Sequence, residues 1–322
     1  MGRGDTSVNF LKRLRRRGNV GDTIFAALAF LFGISILAIM AGIIFQLWLQ
    51  SGPARERFGW AFLWTTVYDV QNNNYGAGTF IYGTLITAFI AMLLAGPIGV
   101  GIAAFLVEIA PRRVDHILGS LVELLAAIPS IVYGLWGFYA LNGFLRDFIA
   151  PPLSAAFGWL PLFSGDFVGT SVLTASVVLA IMVLPTVAAV SRDVLRAVPD
   201  VQREAMTALG ATRWEMFSRS VLPYARSGVL GAGILGLGRA AGETMAVTFI
   251  IGNNPQIFSS LYQQGATIAS QIASKWSEAT EDTLPVLLEL GLVLFAITIT
   301  INITARLMVT VLSGGPKGGM QA

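Results

Sequence analysis

Residues 201–223, VQREAMTALGATRWEMFSRSVLP, stand just before residues 228–252, GVLGAGILGLGRAAGETMAVTFIIG, and together the two stretches decide the fold. The first is polar and rich in helix formers. The second is apolar and glycine-rich, yet it carries Arg239 and Glu243. Charges inside hydrocarbon are costly enough that they usually mark a solute path. A helical polar loop that ends one membrane span and opens the next suits docking by something outside the bilayer. The pairing points to a transporter subunit driven by a partner.

The whole chain agrees. Of 322 residues, 55% are hydrophobic and 12% charged, and mean hydropathy is +0.70, far from the usual quarter of charged residues in a soluble domain. Apolar stretches long enough to cross roughly 30 Å of hydrocarbon as helices occur near residues 23–49, 79–107, 117–144, 170–190, 228–252 and 284–312. The expectation is an all-α integral membrane protein with six transmembrane helices. The first apolar run is about twice the length of a signal-peptide core and lacks a small-residue cleavage site, so it reads as a span.

Basic residues in short loops stay on the cytoplasmic side. With both termini inside, sixteen Lys and Arg fall in cytoplasmic segments. These include Arg3, Lys12, Arg13, Arg15, Arg16, Arg17, Arg112, Arg113, the group from Arg192 to Arg226, Arg306 and Lys317. Four (Arg55, Arg57, Arg146 and Lys275) fall outside. An N-in/C-in topology follows. The sequence pI near 9.4 is accounted for by these loops and their attraction to anionic headgroups, so nucleic acid is not an expected partner.

Cysteine is absent and His116 is the single histidine, which removes disulfides, thiolate metal sites and histidine metal clusters. Pro97, Pro129 and Pro185 lie within apolar spans, where each removes a backbone hydrogen bond and bends its helix. Asn72, Asn73 and Asn74 before Tyr75 and Gly76 favour turns in the outer loop. The segment from Pro151 to Phe163, with Trp159, suits the headgroup level. Glu108 and Asp115 flank Arg112 and Arg113 and read as a solvated charge cluster. Glu123 and Glu289 read as interfacial or interhelical polar contacts.

Within residues 201–223, helix formers run to Leu209, Gly210 interrupts them, and Thr212 with Glu215 forms a capping box. Two short helices joined at Gly210 are expected. Met206, Leu209, Trp214, Met216 and Phe217 supply apolar projections for the groove of a soluble protein or, alternatively, for a lipid surface.

A family pattern separates these alternatives. Glu204-Ala205-Met206, Gly210 and Leu222-Pro223 resemble the EAA loop of ABC-importer permeases, with Met206 in place of an alanine and Ser220 in place of an isoleucine. Leu184-Pro185-Thr186, Ser191-Arg192-Asp193, residues 196–199, residues 236–246 and Ile251-Gly252-Asn253 extend the match to the phosphate permeases of that family, over roughly residues 79–311. The resemblance implies a type I ABC-importer transmembrane domain at 79–311 with its coupling loop at 201–223. A basic arm (1–22), a first helix with its outer loop (23–78) and a cytoplasmic tail (312–322) surround it. Implied partners are a second permease resembling PstA, an ATPase dimer resembling PstB and a periplasmic phosphate-binding protein resembling PstS. Glu204, Ala205, Gly210, Trp214, Leu222 and Pro223 become the ATPase-coupling residues.

Arg239 and Glu243 are four residues apart, so a continuous α-helix would put them on one face, one turn apart. Glycines around them allow close helix approach, and a guanidinium offers a planar fork that matches phosphate oxygens. Arg239 and Glu243 are therefore the expected translocation residues; a mutual pair, or a pair with Glu123, is the structural alternative. No Gly-x-x-x-x-Gly-Lys-Ser/Thr occurs, so ATP and magnesium are expected on the partner ATPase and no cofactor on this chain. Two other functions compete: a permease for sulfate or molybdate, and an intramembrane lipid-phosphate enzyme. The latter lacks a His/Asp nucleophile pair or clustered metal ligands.

Overall fold

The structure is a computed structural model that describes residues 20–312. The six basic residues from Arg3 to Arg17, and Lys317, lie outside the described residues. Helix α1 (Val20–Gln50) is apolar all round, and its large side chains stay exposed, as suits a segment whose solvent is hydrocarbon. It packs along the last long helix and the short helix Gly52–Phe58. The following loop forms a two-residue hairpin, Tyr68–Asp69 against Asn74–Tyr75. Asn73 takes φ 49° at its turn, a conformation that asparagine tolerates better than most residues.

Helices α2 (Gly78–Ala104) and α5 (Val172–Arg196) form the centre. On α2, Gly83, Thr87, Ala91, Ala95, Gly99 and Ala103 are all buried and recur every fourth residue. This stripe of small side chains lets the α5 backbone approach closely, which is how helices associate where lipid supplies no hydrophobic drive. A Cβ on Gly99 would stand 2.9 Å from Val187 of α5. Helix α8 (Leu222–Gly242) carries a similar stripe, Ala225, Ala232, Gly236 and Ala240, all buried. There a Cβ on Gly236 would meet Val187 at 2.8 Å and Val183 at 2.9 Å. Filling such a contact costs about 1–3 kcal/mol.

Helices α3 (Arg112–Ala126) and α4 (Ser130–Trp136) replace the single span read at 117–144. They meet at Ala127–Pro129, and the pair Arg112–Ala126 and Ser130–Phe157 is bent by 88° there. Pro129 caps α4 with an extended backbone, ψ 136°, and its ring disfavours helical backbone at Ile128 before it. Pro97 and Pro185 stay inside α2 and α5. Then come α6 (Asp200–Ala208), α7 (Arg213–Met216), α8, α9 (Met245–Ile250), α10 (Ile268–Lys275) and α11 (Leu284–Leu312).

Among the described residues, four helices are long and apolar enough to cross a membrane, or five where the bent pair is counted as one span. The apolar stretch 228–252 is not one helix. It stops at Gly242 and resumes at Met245.

Candidate functional site

Residues 201–223 fold as the spacing predicts, into two short helices on either side of Gly210. Gly210 sits at φ 78°, a left-handed backbone that glycine adopts without steric cost. Thr212 Oγ1 accepts from Glu215 N–H at 3.3 Å, and Glu215 Oε2 accepts from Thr212 N–H at 3.0 Å. This capping box satisfies donors that the start of α7 would otherwise expose. The hydrogen bonds from Thr212 hold the Glu215 carboxyl below its ordinary range.

The apolar projections divide into two sets. Leu209 and Trp214 are 83% and 73% exposed, and Glu204, Ala205 and Pro223 are exposed beside them. Met206, Met216 and Phe217 instead pack inward with Ala103, Leu195, Val198 and Val221, so they seat the loop rather than project from it. Leu222 is half-buried. Ser220 reaches across to Gln202, Oγ to Oε1 at 3.2 Å. The outward face is thus narrower than the sequence suggests, because hydrophobicity marks a side chain for burial without saying against what.

Arg203 was not legible as a functional residue. Its Nη2 donates to Glu108 Oε1 at 2.9 Å and to the Leu195 carbonyl at 2.9 Å, while Nη1 donates to the Val198 carbonyl at 2.6 Å. The Glu108 side chain is 8% exposed, so Glu108 is a buried anchor for the loop and not part of a solvated cluster. Asp115 is likewise committed, bonding Arg192 Nε at 3.0 Å and also pairing with Arg196. Glu123 joins the same group through Arg192 at 3.4 Å. Arg192 lies over Gly119 of α3, where a Cβ would come within 2.4 Å of its guanidinium. Glu289 makes an interhelical contact with Arg55 at 3.5 Å. The spacing of these carboxylates along the chain gives no sign of partners that lie about seventy to over two hundred residues away.

Arg239 is exposed, at the edge of the α8 face that carries the small-residue stripe and meets α5. Its Nη1 donates to Thr186 Oγ1 of α5 at 3.0 Å, and among the described residues no carboxylate lies within ion-pair distance of it. Thr186 is ten residues from the Arg196 end of α5, roughly 15 Å along the axis, so the guanidinium lies beside the middle of that apolar helix.

Glu243 does not share a helical face with Arg239. Its backbone is extended, φ −68° and ψ 129°, immediately after α8 ends. Its Oε1 accepts from Ala246 N–H at 3.2 Å, which satisfies a donor at the start of α9 and stabilises the interruption. Ala246 in turn packs on Gly134 of α4, where a Cβ would come within 2.9 Å of the Ala246 Cα. The break in α8 to α9 and the bend before α4 therefore lie against one another. A separate cavity of about 480 Å³ is lined by Asn254, Gln256, Ser259, Gln263 and Gln264 together with the apolar Val168 and Ile257; neither Arg239 nor Glu243 lines it.

The family described as "Binding-protein-dependent transport system inner membrane component" matches residues 95–315. The chain belongs to that family. As such a permease it is a multi-pass inner-membrane transport subunit, whose partners include ATPase subunits and a binding protein. The "Phosphate transport system permease protein PstC" of Xylella fastidiosa is 46% identical over 292 residues, covering 89% of each chain. The protein of that name from Pasteurella multocida is 42% identical over 299 residues, covering 92% of this chain and 93% of its own. A bacterial alginate ABC transporter, solved with its alginate-bound periplasmic protein, aligns with TM-score 0.62 at 14% identity over 91% of the permease and 96% of that chain. The MetNI methionine transporter in an inward-facing form gives TM-score 0.54 at 17% identity, over 72% and 94% of the two chains. At such identities the agreement is one of fold, the ABC-importer transmembrane domain.

Proposed function

We propose that this permease carries inorganic phosphate inward across the cytoplasmic membrane, with the energy supplied by ATP and magnesium on separate ATPase subunits. The observation that carries the reading is Arg239. It is an exposed guanidinium beside the middle of an apolar helix, held by one neutral hydroxyl and left without a counter-charge among the described residues. Such a group is not stable facing lipid, so its exposed side belongs to an aqueous path or to a second permease. Its fork of donors fits the oxygens of a tetrahedral oxyanion. Glu243, a turn of chain beyond, lowers the local positive field, so that an anion is attracted without being trapped.

The partners in this proposal are a second permease resembling PstA, an ATPase dimer resembling PstB and a periplasmic phosphate-binding protein resembling PstS. The permease adopts six spans with both termini inside. The exposed face of the coupling loop, formed by Glu204, Ala205, Gly210, Trp214 and Pro223 and backed by Leu222, receives the ATPase. ATP binding there rocks the paired permeases between outward- and inward-facing states, and hydrolysis resets them. The phosphate permeases at 46% and 42% identity favour phosphate over sulfate or molybdate.

Reconstitution of the complete complex with its binding protein tests the reading. ATP-driven accumulation of labelled phosphate, with little of sulfate, is expected. Preferential accumulation of sulfate would transfer the assignment to another oxyanion.

A further inference from the structure

We propose that Arg203 and Glu108 form the link through which movement of the coupling loop reaches the helices that hold Arg239, so that Arg203 acts as a positioning residue for transport. The inference rests on the reading of residues 201–223 as the ATPase contact. Helix α6 is not continuous with α5, because Pro199 caps it with an extended backbone, ψ 139°. Movement of α6 therefore cannot travel along a single helix and has to cross a contact.

Arg203 makes that contact on both sides at once. Toward α5 it donates to the carbonyl of Leu195, in the last turn of the helix, and to that of Val198, just beyond its end. Toward α2 it engages both Glu108 oxygens, with Nη2 at 2.9 Å from Oε1 and Nε at 3.4 Å from Oε2. Glu108 lies in the π turn Phe105–Ile109 that ends α2, two residues before the extended Ala110 leads into α3. One guanidinium thus ties α6 to α5 and to the joint between α2 and α3. From Leu195, nine residues of α5 lead to Thr186, the hydroxyl that holds Arg239, a span of roughly 14 Å along a buried helix.

Two further features separate a transmitting pair from one that only shapes the docking face. The outward residues Leu209 and Trp214 are exposed, and Met206, Met216 and Phe217 give the loop an apolar seat besides the Arg203 contacts. The neighbouring cluster of Arg192, Arg196, Asp115 and Glu123 joins α5 to α3 through ion pairs of its own. It is the internal control.

The test uses the whole reconstituted complex and reads phosphate transported per ATP hydrolysed, together with retention of the ATPase subunits. Glu108→Gln and Arg203→Gln should each lower the transport ratio by about tenfold, within the usual range for coupling between sites, while the ATPase stays bound and active. The double variant should fall no further than either single one, because both changes break one link. Glu123→Gln should leave the ratio within about twofold of the parent, the size of change ordinary for a weak exposed pair. An unchanged ratio in either single variant, a multiplicative loss in the double, or dissociation of the ATPase would overturn the proposal. A photo-crosslinker at Leu209 in the otherwise unaltered chain checks the underlying reading separately. Failure to capture the ATPase there would remove the docking assignment, whatever the ratios.

Discussion

The side chain that carries the functional argument is Arg239, and its neighbourhood is sparse: one hydrogen bond to Thr186 and an exposed flank. If that flank meets the anion, Arg239→Gln should abolish uptake, because an amide keeps some donors but loses the charge and the fork. The complex should still assemble, since Arg239 is exposed and gives up one neutral hydrogen bond, to Thr186. Uptake by purified, ATPase-containing complex gives the answer, and near-normal transport would place Arg239 outside the route. Four-residue spacing made Arg239 and Glu243 look like neighbours on one helix. The extended backbone at Glu243 separates them, because its carboxylate finds the Ala246 N–H and begins a new helix.

At the scale of elements, the coupling loop was almost entirely legible. A glycine after a run of helix formers, followed by Thr-x-x-Glu, specifies a helix end, a left-handed residue and a capped helix through local hydrogen bonding alone. Because Gly210 has open space around its Cα, substitution there acts only through the backbone. Gly210→Val should cost about 1–2 kcal/mol at its positive φ and uncouple or release the ATPase. Gly210→Asn should be tolerated, since asparagine visits that region. Co-purification and substrate-stimulated hydrolysis measure both, and a fully coupled Val variant would count against the docking role.

The capping box adds a pH dependence of known sign. The Glu215 carboxyl is held low by its hydrogen bonds to Thr212, so its contribution to the loop is present above the carboxyl's unfolded-state pKa. It disappears as pH falls through the depressed value. Thr212→Ala should remove about 1 kcal/mol of local helix stability at neutral pH, measurable as faster amide exchange across residues 212–216.

The whole molecule raises the question of orientation. The topology proposed from the uneven distribution of Lys and Arg has the coupling loop inside and the segment around Trp159 outside. The absence of cysteine makes a direct measurement simple. Leu209→Cys and Trp159→Cys introduce single thiols at sites 83% and 78% exposed. An impermeant maleimide should label position 159 in intact spheroplasts, and position 209 only in inverted vesicles prepared without the ATPase. The reverse pattern would overturn the N-in/C-in assignment.

What the sequence by itself determined was whatever depends on local chemistry: apolar runs long enough for hydrocarbon, the capped and glycine-broken coupling loop, and a costly arginine inside an apolar segment. Tertiary structure decided whatever depends on contacts distant along the chain. It broke the stretches 117–144 and 228–252, because Pro129 and Glu243 offer better backbone arrangements where those segments pack against each other through Gly134 and Ala246. It turned Glu108 from a solvent charge into the anchor of Arg203, ninety-five residues away. It also sorted the apolar side chains of the coupling loop into three that seat it and two that project. Propensity and periodicity act over a few residues, whereas a buried charge takes its meaning from whichever partner the fold brings to it.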